Sequence, residues 1–417
     1  MPNKRSLAVL AVLAALTAIP LITTPATAQQ QPFPRLSFDA FGTLGLVHSS
    51  EAEADFAWSP FQPDGPGHTE SIGHGLDSRL GGQATFDVTS KLTTIVQVVL
   101  EQNDEGDYAP NLEWADVSYA LTPALTIRAG RLSNSAFMTS DYRKVGFANP
   151  WVRPPVELYG IVPVYTIDGA DASYRLHRGD WTTTLGANFG YSQADLPGRS
   201  DVELKNAWNV NATFERGPFT GRVAVASGEI HADSFAPLFD GFRAFGPEGA
   251  EIADRFDVEA ARFQFASAGG AYDAGPWFTM AEVAWVNQHS VLGERLAGQV
   301  TGGYRWGSIT PYAVYSRSEL LSESSDPGLS LEDLPPEQIE TAATLNATLN
   351  GILRSTPVQQ TLAVGGRWDF MPGMSLKLQV DFIDVLDDSP GTFINRQAGF
   401  EPGGSARLVT LAFDFVL

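Results

Sequence analysis

The chain contains no cysteine among its 417 residues, so it has no disulfide framework, no thiolate metal site and no cysteine nucleophile. Basic residues are scarce: 27 Lys and Arg stand against 48 Asp and Glu, a formal net charge of −21 at pH 7. That balance disfavours nucleic acid and other polyanions as partners, and no basic patch interleaved with aromatics runs against it. Beyond the N-terminal segment no run of 18 apolar residues occurs, which excludes a membrane-spanning helix there. Recognisable catalytic patterns are also missing. GxSxG and HExxH do not occur, and His48, His68, His74, His177, His231 and His289 stand in no motif. No catalytic residue, cofactor or metal ligand is therefore assigned.

What is present begins at the N-terminus. Lys4 and Arg5 precede an apolar run from Leu7 to Pro20, followed by the small-residue site Ala26-Thr27-Ala28. This is the pattern of a secretory signal peptide over residues 1–28, with cleavage leaving Gln29 first. Removal of Lys4 and Arg5 takes the net charge from −21 to −23. Residues 29–417 are expected to form one domain.

From residue 36 onward, segments of roughly ten residues alternate apolar with small or polar side chains, the period-2 signature of strands with two unlike faces. Sixteen such segments lie near 36–47, 77–88, 91–101, 111–121, 124–131, 166–176, 180–190, 203–215, 218–228, 258–271, 276–287, 295–306, 308–318, 358–369, 374–385 and 407–417. Trp208, Val210, Ala212 and Phe214 share one face of the eighth, opposite Asn209, Asn211 and Thr213. In the fifteenth, Leu376, Leu378, Val380 and Phe382 stand opposite Lys377, Gln379 and Asp381. Short turns join strands two and three, four and five, eight and nine, ten and eleven, and fourteen and fifteen; longer loops join the others. An even-stranded barrel with short turns on one side and long loops on the other has this spacing, and Trp181, Trp277, Trp285, Trp306 and Trp368 at strand ends suit aromatic girdles. The final segment, ARLVTLAFDFVL, resembles the C-terminal assembly signal of outer-membrane proteins, with Leu417 where Phe is usual. The fold expected is all-β: a sixteen-stranded antiparallel transmembrane β-barrel.

The loop between strands five and six, about 132–165, is unlike an ordinary surface loop. It reads LSNSAFMTSDYRKVGFANPWVRPPVELYGIVPVYT, rich in aromatics and stiffened by Pro150, Pro154, Pro155 and Pro163. Sixteen strands with such a loop in this position resemble the general bacterial porins. The resemblance implies a third outer loop folded into the lumen, a homotrimer in the cell outer membrane amid lipid and lipopolysaccharide, and a water-filled channel for passive diffusion of small hydrophilic solutes and ions. On that reading the constriction carries Asp141, Arg143, Lys144, Arg153 and Glu157. The period places Arg79 and Arg128 on the lumen face, with Arg131 at the loop's root. By analogy with the family, acidic loop residues face a basic wall, and opposed charges set a transverse field. Further inward candidates are Arg175, Arg222, Arg262, Arg305, Arg317, Arg367 and Lys377, balanced by Asp39, Asp87, Asp116, Asp171, Glu282, Asp381 and Asp414.

Acidic runs at 51–55, 103–107 and 319–340 read as solvated loop, with divalent-cation bridging to lipopolysaccharide phosphates as the alternative. In the loop between strands thirteen and fourteen, PPEQIETAATLNATLNGIL has helical spacing after two prolines, and a helix is expected there. Alternatives to general diffusion are a substrate-specific channel, an outer-membrane barrel hydrolase and an adhesin. N-terminal sequencing of the protein extracted from membranes is expected to begin at Gln29; a start at Met1 contradicts the signal-peptide reading.

Overall fold

The computed structural model describes residues 33–417 apart from 163, 198, 199 and 333. The expected signal peptide, 1–28, lies outside the described residues. Sixteen long strands form: β1 (Arg35–Ser49), β2 (Arg79–Asp87), β3 (Leu92–Gln102), β4 (Tyr108–Ala120), β5 (Leu125–Ser133), β6 (Thr166–Arg178), β7 (Trp181–Leu196) and β8 (Ser200–Arg216) make one half. The other half is β9 (Phe219–His231), β10 (Ala261–Ala274), β11 (Trp277–Asn287), β12 (Glu294–Tyr304), β13 (Ile309–Leu320), β14 (Gln359–Met371), β15 (Met374–Val385) and β16 (Ser405–Val416). Each pairs antiparallel with its sequence neighbours, and β1 pairs with both β2 and β16, which closes the ring.

Closure gives the alternation its meaning. Along β15, Leu378 is 55% exposed while Lys377, Gln379 and Asp381 are buried, and along β8 Val210 is exposed while Asn209 is buried. On these strands the outer parity thus carries apolar side chains exposed to the surroundings and the inner parity carries buried polar ones, while toward the loop end inward residues such as Ile230, Phe263 and Val286 are apolar. Strands of 9 to 17 residues are long enough to cross a bilayer, for which about 9–11 tilted residues suffice. On the outer face an aromatic band marks the turn end of the strands, with Tyr119, Tyr174, Trp181, Trp277, Trp306 and Trp368 all exposed.

The short turns fall on one side, and they include two that the spacing alone assigns to longer loops. Strands β6 and β7 are joined through Gly179-Asp180, and β12 and β13 through residues 305–308. Gly179, Gly217, Gly275, Gly307 and Gly373 sit in these turns with φ of 54 to 75°, where a side chain is strained. On the other side not every loop is long, since only residues 103–107 separate β3 from β4.

Helices occupy three of the described loops. After the single turn α1 (Val156–Tyr159), α2 (Ala236–Arg243) and α3 (Pro247–Phe256) lie between β9 and β10, and α4 (Pro336–Leu353) between β13 and β14. The last is the expected helix. α2 and α3 were not anticipated, although each has proline in its first turn, the position proline favours. α4 packs on α2, and Phe239, Phe242 and Leu349 are fully buried in a cluster shared with Phe137, Leu158 and Ile161 of the 132–165 loop. α4 is therefore part of a packed layer at the loop end of the barrel.

Arginine at Leu378 or Val210, in the exposed apolar band, is expected to cost about 2–4 kcal/mol in a lipid bilayer if the site lies near the midplane. Reversible denaturant unfolding in vesicles measures this; equal stability of variant and parent contradicts a lipid-facing band.

Candidate functional site

The 132–165 loop is held by hydrogen bonds at almost every turn of its path. Asn134 N–H donates to Tyr165 O at 2.8 Å and closes the neck. Ser267 Oγ donates to Ala136 O at 2.7 Å, and Glu282 accepts from Met138 N–H and from the Tyr159 hydroxyl, each at 2.8 Å. Arg222 donates to Phe137 O, Arg367 to Phe147 O and Asn149 O, and Arg295 to Ile161 O. Lys377 Nζ donates to Gly146 O and Trp151 O, both at 2.8 Å, and pairs with Asp414 at the same distance. These partners all belong to the inner parity of their strands. Beyond the ladder that Leu132 and Ser133 continue with β6, among the described residues none of the loop's hydrogen bonds reaches β6, β7 or β8. Their inner faces instead present Asp171, Asn188, Asn209 and Asn211.

The charged groups singled out in the sequence come together here, but with the signs reversed from the family analogy. Loop cations meet wall carboxylates. Arg143 pairs with Glu113 at 2.6 Å and lies 3.7 Å over the Tyr165 ring, while Lys144 pairs with Glu113 at 2.9 Å and with Glu101. Arg153 bridges Asp77 at 2.5 Å and Asp381 at 2.8 Å, and also donates to Thr410. Burial opposes the Arg153 charge, yet the two carboxylates outweigh it and raise the guanidinium pKa above its ordinary value. Burial likewise pushes the Tyr165 hydroxyl up to about 12, so it stays protonated and donates to Tyr159 O. The one loop carboxylate in the core of this seam, Glu157, meets no cation among the described residues: Ser316 and Gln359 donate to it at 2.6 and 2.7 Å, and Thr361 donates as well.

Arg143, Lys144, Arg153 and Glu157 are thus buried fasteners between loop and wall. Only Asp141, about half exposed, faces a wall arginine, Arg222, at 3.2 Å. Arg79 lies on the inner face opposite Glu101, and Arg128 pairs with Asp171 on the inner face of β5 and β6. Arg131 takes the other parity. It pairs with Asp168 at 2.5 Å on the outer face, because Arg128 and Arg131 are three residues apart on strands in unbroken register, and period 2 sends them to opposite sides. Arg262 and Arg317 are outward for the same reason; both are exposed, and Arg317 pairs with Glu319. The sequence reading did not single out Asp77, Glu101 or Glu113. Glu101 and Glu113 lie on strands of the expected barrel, but their partners are set by the loop's path, which no local pattern encodes.

Two cavities flank the loop. One of about 410 Å³ on the turn side is bordered by Tyr142, Phe147, Trp151, Arg305 and Arg367, and one of about 670 Å³ lies on the loop side. No family model matches the sequence, and no curated protein matches it either. Solved structures do. The outer-membrane channel DcaP of Acinetobacter baumannii shares 12% identity at a TM-score of 0.55, over 94% of this chain and 99% of that one. The fold is that of the outer-membrane porins. OmpF of Salmonella typhi, solved with daunomycin, aligns at 13% identity and a TM-score of 0.53, over 92% of this chain and 98% of its own. OmpT, an outer membrane protein of Vibrio cholerae folded in vitro, aligns at 10% identity and 0.50, over 94% and 100%. At such identities the likeness is one of fold.

Replacing Arg153 by Met leaves Asp77 and Asp381 buried without their cation, and is expected to cost about 3–5 kcal/mol and to expose the loop to protease. Asp141→Asn breaks only a half-exposed pair, with an expected cost under about 1 kcal/mol. Denaturant unfolding and limited proteolysis compare the two; equal effects contradict the fastening role of Arg153.

Proposed function

We propose that the protein is a passive outer-membrane channel for ions and small hydrophilic solutes, without enzymatic activity, in which residues 132–165 narrow the lumen from within. The observation that carries this reading is the closed sixteen-strand ring with an exposed apolar outer face and an inner face that carries polar side chains along much of its height. A ring of that size encloses more space than wall side chains fill, and an apolar belt exposed on every strand is stable in lipid. The permeation path runs along the inner faces of β6 to β8, past Asp171 and Asn211, bordered on either side by Arg128 of β5 and Arg222 of β9. Outer-membrane lipid and lipopolysaccharide surround the barrel, and three copies associate, as the resemblance to general porins implies. Residues 29–417 form the single mature domain.

Ion preference is set by Asp141 and Arg222, whose pair borders that path. In planar bilayers under a salt gradient the purified protein is expected to conduct in steps of three. Arg222→Gln is expected to move the reversal potential toward cation preference and Asp141→Asn toward anion preference, with Arg131→Gln on the outer face leaving it unchanged. Folded protein that conducts no current contradicts the channel, and a shift from Arg131→Gln equal to that from Arg222→Gln contradicts the path.

A further inference from the structure

The cavity on the loop side of the segment, about 670 Å³, has the size of a small-molecule site and a wall unlike that of a hydrated vestibule. Ile161, Leu204, Ile230, Phe235, Phe263 and Val291 line it. Into this apolar wall is set Arg295, from the start of β12. Its Nη2 donates to Ile161 O at 2.8 Å, while its Nε is buried without a partner. Among the described residues no carboxylate stands within ion-pair distance of it. An unpaired charge in an apolar surround is costly, and one carbonyl uses little of a guanidinium's five-donor fork.

Two more polar atoms on the same wall lack hydrogen-bond partners, Gln288 Oε1 and Thr392 Oγ1. Among the described residues the only carboxylate lining the cavity, Glu157, has its oxygens taken by Ser316, Gln359 and Thr361. Arg396, exposed, adds a second positive charge to the lining. In a chain of net charge −21, this cavity is locally positive and otherwise apolar.

We propose that the cavity binds a monocarboxylate with an apolar body, aromatic or alicyclic, whose carboxylate pairs with Arg295 and whose body lies against the apolar wall. A planar guanidinium matches a carboxylate with two parallel hydrogen bonds. Small hydrated anions use the charge but not the wall, and neutral apolar solutes use the wall but leave the charge unpaired. The inference deepens the channel reading and rests on it for its place in permeation, since a solute held here sits at the loop side of the narrowing.

Titration calorimetry on the folded full-length protein in detergent tests it, with benzoate and cyclohexanecarboxylate as probes and acetate and benzamide as controls. Both probes are expected to saturate one site at least tenfold more tightly than either control. Arg295→Gln is expected to weaken benzoate tenfold or more, and Arg305→Gln, at the turn end, to leave it within twofold. Arg295→Met removes an unpaired buried cation, so its thermal midpoint is expected to equal or exceed the parent's while binding is lost, which separates binding from folding. Benzamide binding as tightly as benzoate, or Arg295→Gln binding benzoate like the parent, overturns the proposal. Conductance of the same preparation in bilayers separates the two readings: conductance without benzoate binding overturns the site and leaves the channel, whereas binding without conductance supports the site and overturns the channel.

Discussion

Pairing between β1 and β16 leaves the long sheet without a free edge, and the rest of the molecule is organised by that closure. Antiparallel ladders join every strand to both its neighbours, so backbone donors and acceptors are paired within the ring, the condition for crossing lipid with strands, with bulges interrupting the register at a few positions. Closure also divides the side chains into two populations by parity. Outward residues such as Val210, Leu378 and Leu411 remain exposed and apolar. Inward residues are polar along much of the wall and apolar toward the loop end, as at Leu204, Ile230 and Phe263, and they are buried because something else fills the space the ring encloses.

That filling is the loop between β5 and β6 together with the helical layer above it. Its attachment relies on charge. Glu101, Glu113, Asp77 and Asp381 from the wall take up Lys144, Arg143 and Arg153, while Lys377 supplies the opposite case by donating to two loop carbonyls and to Asp414. Each of these ions has left water, a loss that its partner's charge and several hydrogen bonds together offset. Removing one partner therefore does more harm than the pair itself contributes. The opposed charges expected from family analogy are met only by the exposed Asp141 and its partner Arg222; the other loop charges are committed to the seam.

The sequence made the barrel legible because period 2 repeats in all sixteen strands, and the lipid-facing and lumen-facing sets of β8 and β15 came out as read. The helix α4 was legible from two prolines and a spaced apolar series. Other features depended on contacts that local pattern does not carry. Arg131 was placed by its nearness to the loop, whereas unbroken register with β6 turns it outward to Asp168. The loop's aromatic and proline content showed that it packs against something. It did not show that Arg143, Lys144 and Arg153 bind carboxylates rather than face a basic wall, because those partners lie up to 228 residues away in the chain. Arg295 was not singled out in the sequence. Only the folded arrangement shows an apolar cavity around it.

The most direct test of the whole arrangement uses the absence of native cysteine. A β-carbon at Gly269, on β10, meets Met138 Cγ of the loop at 2.7 Å, so the double variant Met138→Cys/Gly269→Cys places two thiols within bonding reach across the inside of the ring. Oxidation of the folded protein in outer-membrane vesicles is expected to form this single cross-link in high yield and to leave single-channel conductance unchanged, since it joins groups already in contact. No cross-link, or a cross-link that alters the conductance, contradicts a loop fastened to the inner wall.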